Sequence, residues 1–96
     1  MKIFISGKIT DGSNAIVKGA RQQFNQAELF LLRQGHTVIN PLNLPKQKNW
    51  QTYMKQGIKE LMNCDAIYLL KTYPDSKGSL IEKQIAILLD YQILYE

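Results

Sequence analysis

The spacing of hydrophobic positions along this chain changes period several times. Lys2-Ile3-Phe4-Ile5-Ser6 is a β-rich run ended by Gly7. Val17, Ala20, Phe24, Ala27 and Leu31 then recur at helical spacing, and Arg33-Gln34-Gly35 reads as a helix end with glycine at C′. His36-Thr37-Val38-Ile39 predicts a second strand, stopped by Asn40-Pro41. Residues 40–48 read as loop, because Pro41 and Pro45 oppose regular structure. Trp50, Tyr53, Met54, Ile58, Leu61 and Met62 share one face of a second helix, with Asn49 as its cap. Asp65-Ala66-Ile67-Tyr68-Leu69-Leu70 is almost continuously apolar, as a strand buried on both faces would be. Pro74-Asp75-Ser76-Lys77-Gly78 predicts a turn, 79–89 a third helix and 92–95 a last strand. No internal repeat and no low-complexity segment interrupts this order.

An alternating β-α-β-α-β-α-β chain calls for a parallel sheet with right-handed crossovers and helices on both faces. The expected architecture is therefore one α/β domain over residues 1–96, its four strands in the spatial order 2-1-3-4. Ligands of such sheets sit beyond the carboxyl ends of the strands, where the strand order reverses. That rule selects the loop 6–14, the Asn40-Pro41 corner and the loop 71–78.

Composition narrows the function classes. Hydrophobic residues make up 45% and charged residues 21% of the 96, enough for one core and too apolar for a disordered chain. No apolar run approaches the ~20 residues of a membrane-spanning helix. The first residues look like a strand rather than a signal peptide, so a cytoplasmic location is expected. The single cysteine, Cys64, has no disulfide partner, and no Cys/His cluster is present to hold zinc. The net charge is +4, but the ten lysines are scattered and only Arg21 and Arg33 could read bases bidentately. This is a poor footprint for general nucleic-acid binding. A mildly basic cleft for a small phosphorylated ligand suits it better.

The common nucleotide motifs are missing. Gly7-Lys8 lacks the earlier glycine of a phosphate-binding loop, and Ile9 stands where a magnesium-binding Ser or Thr is needed. No G-x-G-x-x-G occurs. His36, the one histidine, reads as a turn residue, and Cys64 falls at the wrong end of the third strand for a Cys/His pair. What remains is Ser76-Lys77-Gly78-Ser79-Leu80-Ile81-Glu82, entering the third helix. Gly78 allows a tight turn or close backbone approach, and the helix start with the Ser76 hydroxyl suits an anion. Glu82 in the first turn is expected to stay ionised with a low pKa, and an ionised carboxylate is a nucleophile for an anomeric carbon. The same residues also form a capping box, with Glu82 bonding back to the Ser79 N–H. Residue pattern alone leaves both readings open.

Four segments occur in order: Met1-Lys2-Ile3-Phe4-Ile5-Ser6-Gly7-Lys8-Ile9, Gly35-His36-Thr37-Val38-Ile39-Asn40-Pro41, Cys64-Asp65-Ala66-Ile67-Tyr68-Leu69-Leu70, and Ser76-x-Gly78-x-x-x-Glu82. Together they resemble the nucleoside 2-deoxyribosyltransferase-like superfamily, in particular a small bacterial and phage branch similar to the deoxynucleoside 5′-monophosphate N-glycosidases. The resemblance covers nearly the whole chain. It implies a flavodoxin-like fold, cleavage or transfer of an N-glycosidic bond of a deoxynucleoside or its 5′-monophosphate, no metal or organic cofactor, and a homodimer or larger homo-oligomer. It implies Glu82 as nucleophile, Ser76 with Gly78 as the phosphate subsite, the Ser6-Gly7-Lys8-Ile9 loop at the substrate, and Phe4 bordering sugar or base. Asn40 lies on the same edge, and Lys8 and Lys77 are the cations to place near a 5′-phosphate. Related hydrolases carry an aspartate where this chain has Gly57, and Asp75 or Asp11 are the acids on the correct edge to replace it. Trp50, Tyr53 and Tyr73 are candidates for stacking a base, and Tyr91 and Tyr95 for the site or a subunit contact. The alternative within the same fold is a catalytically silent nucleotide-binding or sensing module.

Overall fold

The structure, a computed structural model, describes residues 1–11 and 15–96. Residues 12–14, within the loop expected at the ligand edge, lie outside the described residues. The chain forms β1 (Lys2–Ser6), α1 (Ala20–Arg33), β2 (Thr37–Ile39), α2 (Trp50–Leu61), β3 (Ala66–Leu69), α3 (Lys77–Leu88) and β4 (Gln92–Tyr95). One-turn 3-10 segments at Pro41–Asn43 and Tyr73–Asp75 precede α2 and α3. All pairings are parallel and the strand order is β2-β1-β3-β4, so β1 and β3 lie side by side at the centre.

Strand alternation sorts the core into two layers. Ile3 and Ile5 join Ala66, Tyr68 and Leu70 under α1, which contributes Ala20, Phe24, Ala27 and Leu31. Phe4 faces the other way and joins Ile67 and Leu69 with Leu61 and Ala86, from α2 and α3. One helix thus covers one face of the sheet and two cover the other. The same alternation turns Ser6, two residues after Phe4, toward α2 and α3. That orientation positions the site.

Several boundaries differ from the sequence reading, each for a local reason. Helix α1 starts at Ala20, because Val17 still belongs to the incoming loop, where its N–H donates to the Ile9 carbonyl at 2.8 Å. At its other end Gly35 has φ of 89°, the left-handed C′ conformation that glycine adopts without penalty. The 40–48 segment is not wholly irregular: Asn40 caps the 3-10 turn, with Pro41 at its first position, where a missing N–H costs nothing. Helix α3 begins two residues earlier than expected, since Ser76 and not Ser79 is its cap. Gly78 is therefore helical rather than part of a turn. At the foot of the sheet Asp65 precedes β3, and its Oδ2 accepts from the Lys2 N–H at 3.0 Å. Among the described residues no helix is long and apolar enough to cross a membrane.

Candidate functional site

A cavity of about 620 Å³ opens at the carboxyl end of the sheet, at the β1/β3 switch point. Its walls come from the loop after β1, the segment before α2, the first turns of α2, and the start of α3. Ser6, Gly7, Lys8, Ile9, Asp75, Ser76, Lys77, Gly78 and Glu82 all line it, so the structure gathers most of the sequence-selected residues in one place. Its cations are Lys8, Arg21, Lys46, Lys48 and Lys77, against the acids Asp11, Asp75 and Glu82. That balance favours an anionic ligand. Among the described residues no group of three His, Cys, Asp or Glu is arranged to hold a metal ion.

Glu82 is the buried acid of this cavity, 8% exposed. Its Oε1 accepts a 2.7 Å hydrogen bond from Ser6 Oγ, across 76 positions of sequence. The capping box is not formed. The Ser79 N–H donates instead to Ser76 Oγ at 3.1 Å, leaving the Glu82 carboxylate to the cavity side. The expected low pKa is also corrected. Burial pushes Glu82 up from 4.5 to about 7, against the lowering effect of the Ser6 hydrogen bond. Desolvation sets the direction, and because α3 starts at Lys77, Glu82 lies in its second turn rather than its first, beyond the turn where the helix dipole favours a carboxylate.

Gly57 explains how Glu82 fits. A Cβ at this position would lie 3.3 Å from Glu82 Oε2 and 3.8 Å from Phe4 Cζ. The position is buried and lines the cavity, so the residue that departs from the resembled family's aspartate stands directly against the carboxylate. Gly7 has a different task. A Cβ there would come within 2.8 Å of Leu70 Cδ1, so its lack of side chain lets the loop after β1 cross the end of β3. At Gly78 a Cβ would come within 2.9 Å of Met54 Sδ, so the missing side chain lets α2 and the start of α3 approach closely.

Two further residues complete the mouth. Trp50 and Tyr53, on the first turns of α2, both line the cavity rather than only the core. Lys77 Nζ sits 4.9 Å from the centroid of the Trp50 ring, a cation–π contact across the entrance. The Tyr53 hydroxyl is buried without a hydrogen-bond partner among the described residues, as is Ser79 Oγ. Burial first, and the Glu82 carboxylate second, hold the Tyr53 phenol well above its ordinary pKa. Sequence periodicity placed Tyr53 on the apolar stripe of α2. Its hydroxyl near Glu82 follows from packing between helices and has no local signal.

Other candidates are placed elsewhere. Phe4 is fully buried in the core beneath α2 and α3, behind Gly57 rather than at the cavity surface. Asn40 does not line the cavity. Its Nδ2 donates to Asn25 Oδ1 and Glu28 Oε1, and its Oδ1 accepts from the Leu42 N–H, so the side chain ties the corner to α1. Tyr73 packs against Tyr95 at 6.1 Å, with Lys83 over both rings, and Tyr91 donates to the Leu61 carbonyl. Cys64 is buried near the opposite end of β3, and burial pushes its thiol up to about 11.

The buried carboxylate sets a stability signature. Glu82 binds its proton more tightly folded (about 7) than unfolded (about 4.5), so the folded state holds more protons between these values. Its contribution to stability is therefore intact below pH ~4.5 and is lost as pH rises through ~7, by about 3 kcal/mol in all. Glu82→Gln is expected to flatten that fall in denaturant titrations at pH 4.5 and 8. An identical pH dependence in parent and variant would show that the carboxylate is solvated. Gly57→Asp would set a second carboxylate against Oε2. It is expected to lose a few kcal/mol at pH 8 and recover part of it toward pH 4. Parental stability at pH 8 would mean that the position opens freely to water.

No curated protein matches the chain. The family model described as "Domain of unknown function (DUF4406)" matches residues 1–95. With nearly every residue covered by that match, the chain belongs to the DUF4406 family.

Proposed function

We propose that this protein cleaves or transfers the N-glycosidic bond of a deoxynucleoside or deoxynucleoside 5′-monophosphate, with Glu82 as nucleophile. The observation that carries the reading is the placement of one buried carboxylate in a basic cavity. Ser6 holds Oε1, and Oε2 stands at the gap left by Gly57. A cavity of this size is in the usual range for a nucleotide-sized ligand.

In this reading a carboxylate oxygen of ionised Glu82 attacks C1′ as the C1′–N bond breaks. The bonding pair leaves with the base nitrogen, which takes up a proton from water at the open mouth, where Asp75 also lies. A water, or the nitrogen of a second base, then attacks C1′ of the glycosyl ester and loses a proton, and Glu82 departs as carboxylate. The 5′-phosphate would rest at the start of α3. There the Ser76 hydroxyl, already accepting from the Ser79 N–H, keeps its own proton to donate, and the helix dipole is positive. Lys8 and Lys77 supply countercharge.

A second reading, a nucleotide-binding module without turnover, draws support from Gly57, which leaves Glu82 with no neighbouring acid at that position. Incubation with a panel of deoxynucleosides and their monophosphates separates the two. Release of free base is expected, lost on the order of 10³-fold in Glu82→Ala. Its kcat/KM should rise tenfold per pH unit below about 7 and level off above, as Glu82 ionises. Ser76→Ala is expected to weaken monophosphates more than unphosphorylated nucleosides. Thermal stabilisation by monophosphates with no base released would replace the enzyme by the sensor.

A further inference from the structure

Helix α3 carries more bulky apolar side chains on its outer face than on its inner one. The buried side consists of Ser79, Glu82 and Ala86. The outer side presents Leu80, Ile81, Ile87 and Leu88, which are 49%, 36%, 46% and 72% exposed. The outer face of α3 is thus the more apolar of its two faces, the reverse of a helix whose outer face is solvated.

The outer stripe is also symmetric. Leu80 and Leu88 stand four residues either side of Gln84, and Ile81 and Ile87 stand three either side. At ~100° per residue the five positions fill a sector of about 120° centred on Gln84, with no charged residue in it between 80 and 88. A palindromic stripe is complementary to itself when two copies run antiparallel.

We infer that α3 pairs antiparallel with α3 of a second copy of this chain, about a two-fold axis through Gln84. Leu80 of one copy then meets Leu88 of the other, and Ile81 meets Ile87. The two Gln84 amides, each a donor and an acceptor, face one another on the axis. Antiparallel alignment opposes the two helix dipoles. It also brings the start of one helix, the positive end of its dipole, to the end of the other, where Asp90 follows. The exposed parts of the four side chains amount to ~350 Å². That is most of the apolar share of the ~800 Å² that each partner of a standard-size interface buries. None of the four lines the cavity.

Light scattering during gel filtration of the whole chain tests this. The parent is expected at twice 11.0 kDa. Leu80→Glu and Leu88→Lys, each on an exposed position, are expected to fold with parental circular dichroism and to weaken the dimer by on the order of 100-fold or more. Mixing the two variants should restore a dimer, because the new Glu and Lys then face each other across the antiparallel pair. A monomeric parent at ~100 μM would overturn the inference. So would dimers unaffected by the single changes, as when the exposed Leu29, Phe30 and Leu32 of α1 make the contact instead. A mixture that stays monomeric would overturn the antiparallel register.

Discussion

The hydrogen bond from Ser6 Oγ to Glu82 Oε1 is the interaction around which this small fold is arranged. It joins the end of the first strand to the last helix, through a carboxylate almost removed from water. Burying an acid is costly, and a single hydroxyl compensates only part of the cost. The surrounding geometry accommodates it. Strand alternation sends Ser6 to the same side as Phe4, where α2 and α3 pack. Gly57 leaves space for Oε2, since any Cβ there would crowd it at 3.3 Å. Ser76 takes the capping of α3, which releases Glu82 from the local bond that its spacing to Ser79 suggests.

The same arrangement gives the site its chemistry. A carboxylate raised to about 7 shifts between neutral and charged forms near physiological pH, and its charged form is held by one donor in a basic cavity. The cations line the walls at the mouth, while Glu82 lies buried at the β1/β3 edge. In the proposed reaction that separation would put the ligand's anionic group at the helix start and C1′ further in. A carboxylate only partly ionised at neutral pH is a slower nucleophile than a solvated one is by count. Desolvation makes each ionised copy more reactive.

Much of this was legible in the chain because it rests on local periodicity. The alternation of strands and helices dictated a parallel sheet in the order 2-1-3-4, and that order alone selected the edge where the cavity opens. Asn49 was readable as a cap, and the Thr52 N–H does donate to its Oδ1 at 2.8 Å. What escaped the sequence depends on contacts between distant residues. Ser79 and Glu82 have capping-box spacing, yet the competing donor, Ser6, is 76 residues away. Asn40 sits on the ligand edge by position, yet α1 offers it Asn25 and Glu28 as partners. The raised pKa of Glu82 likewise follows from how completely α2 closes over it, which no spacing rule reports.

The most direct measurement is the titration of Glu82 by carbon-detected NMR of its side-chain carboxyl, in the parent and in Ser6→Ala. A buried carboxylate stabilised by one hydroxyl predicts a midpoint near 7 in the parent and a higher one in the variant, where the charged form has lost its donor. A parent midpoint near 4.5, unmoved by Ser6→Ala, would mean that water reaches the carboxylate and that the bond to Ser6 organises nothing.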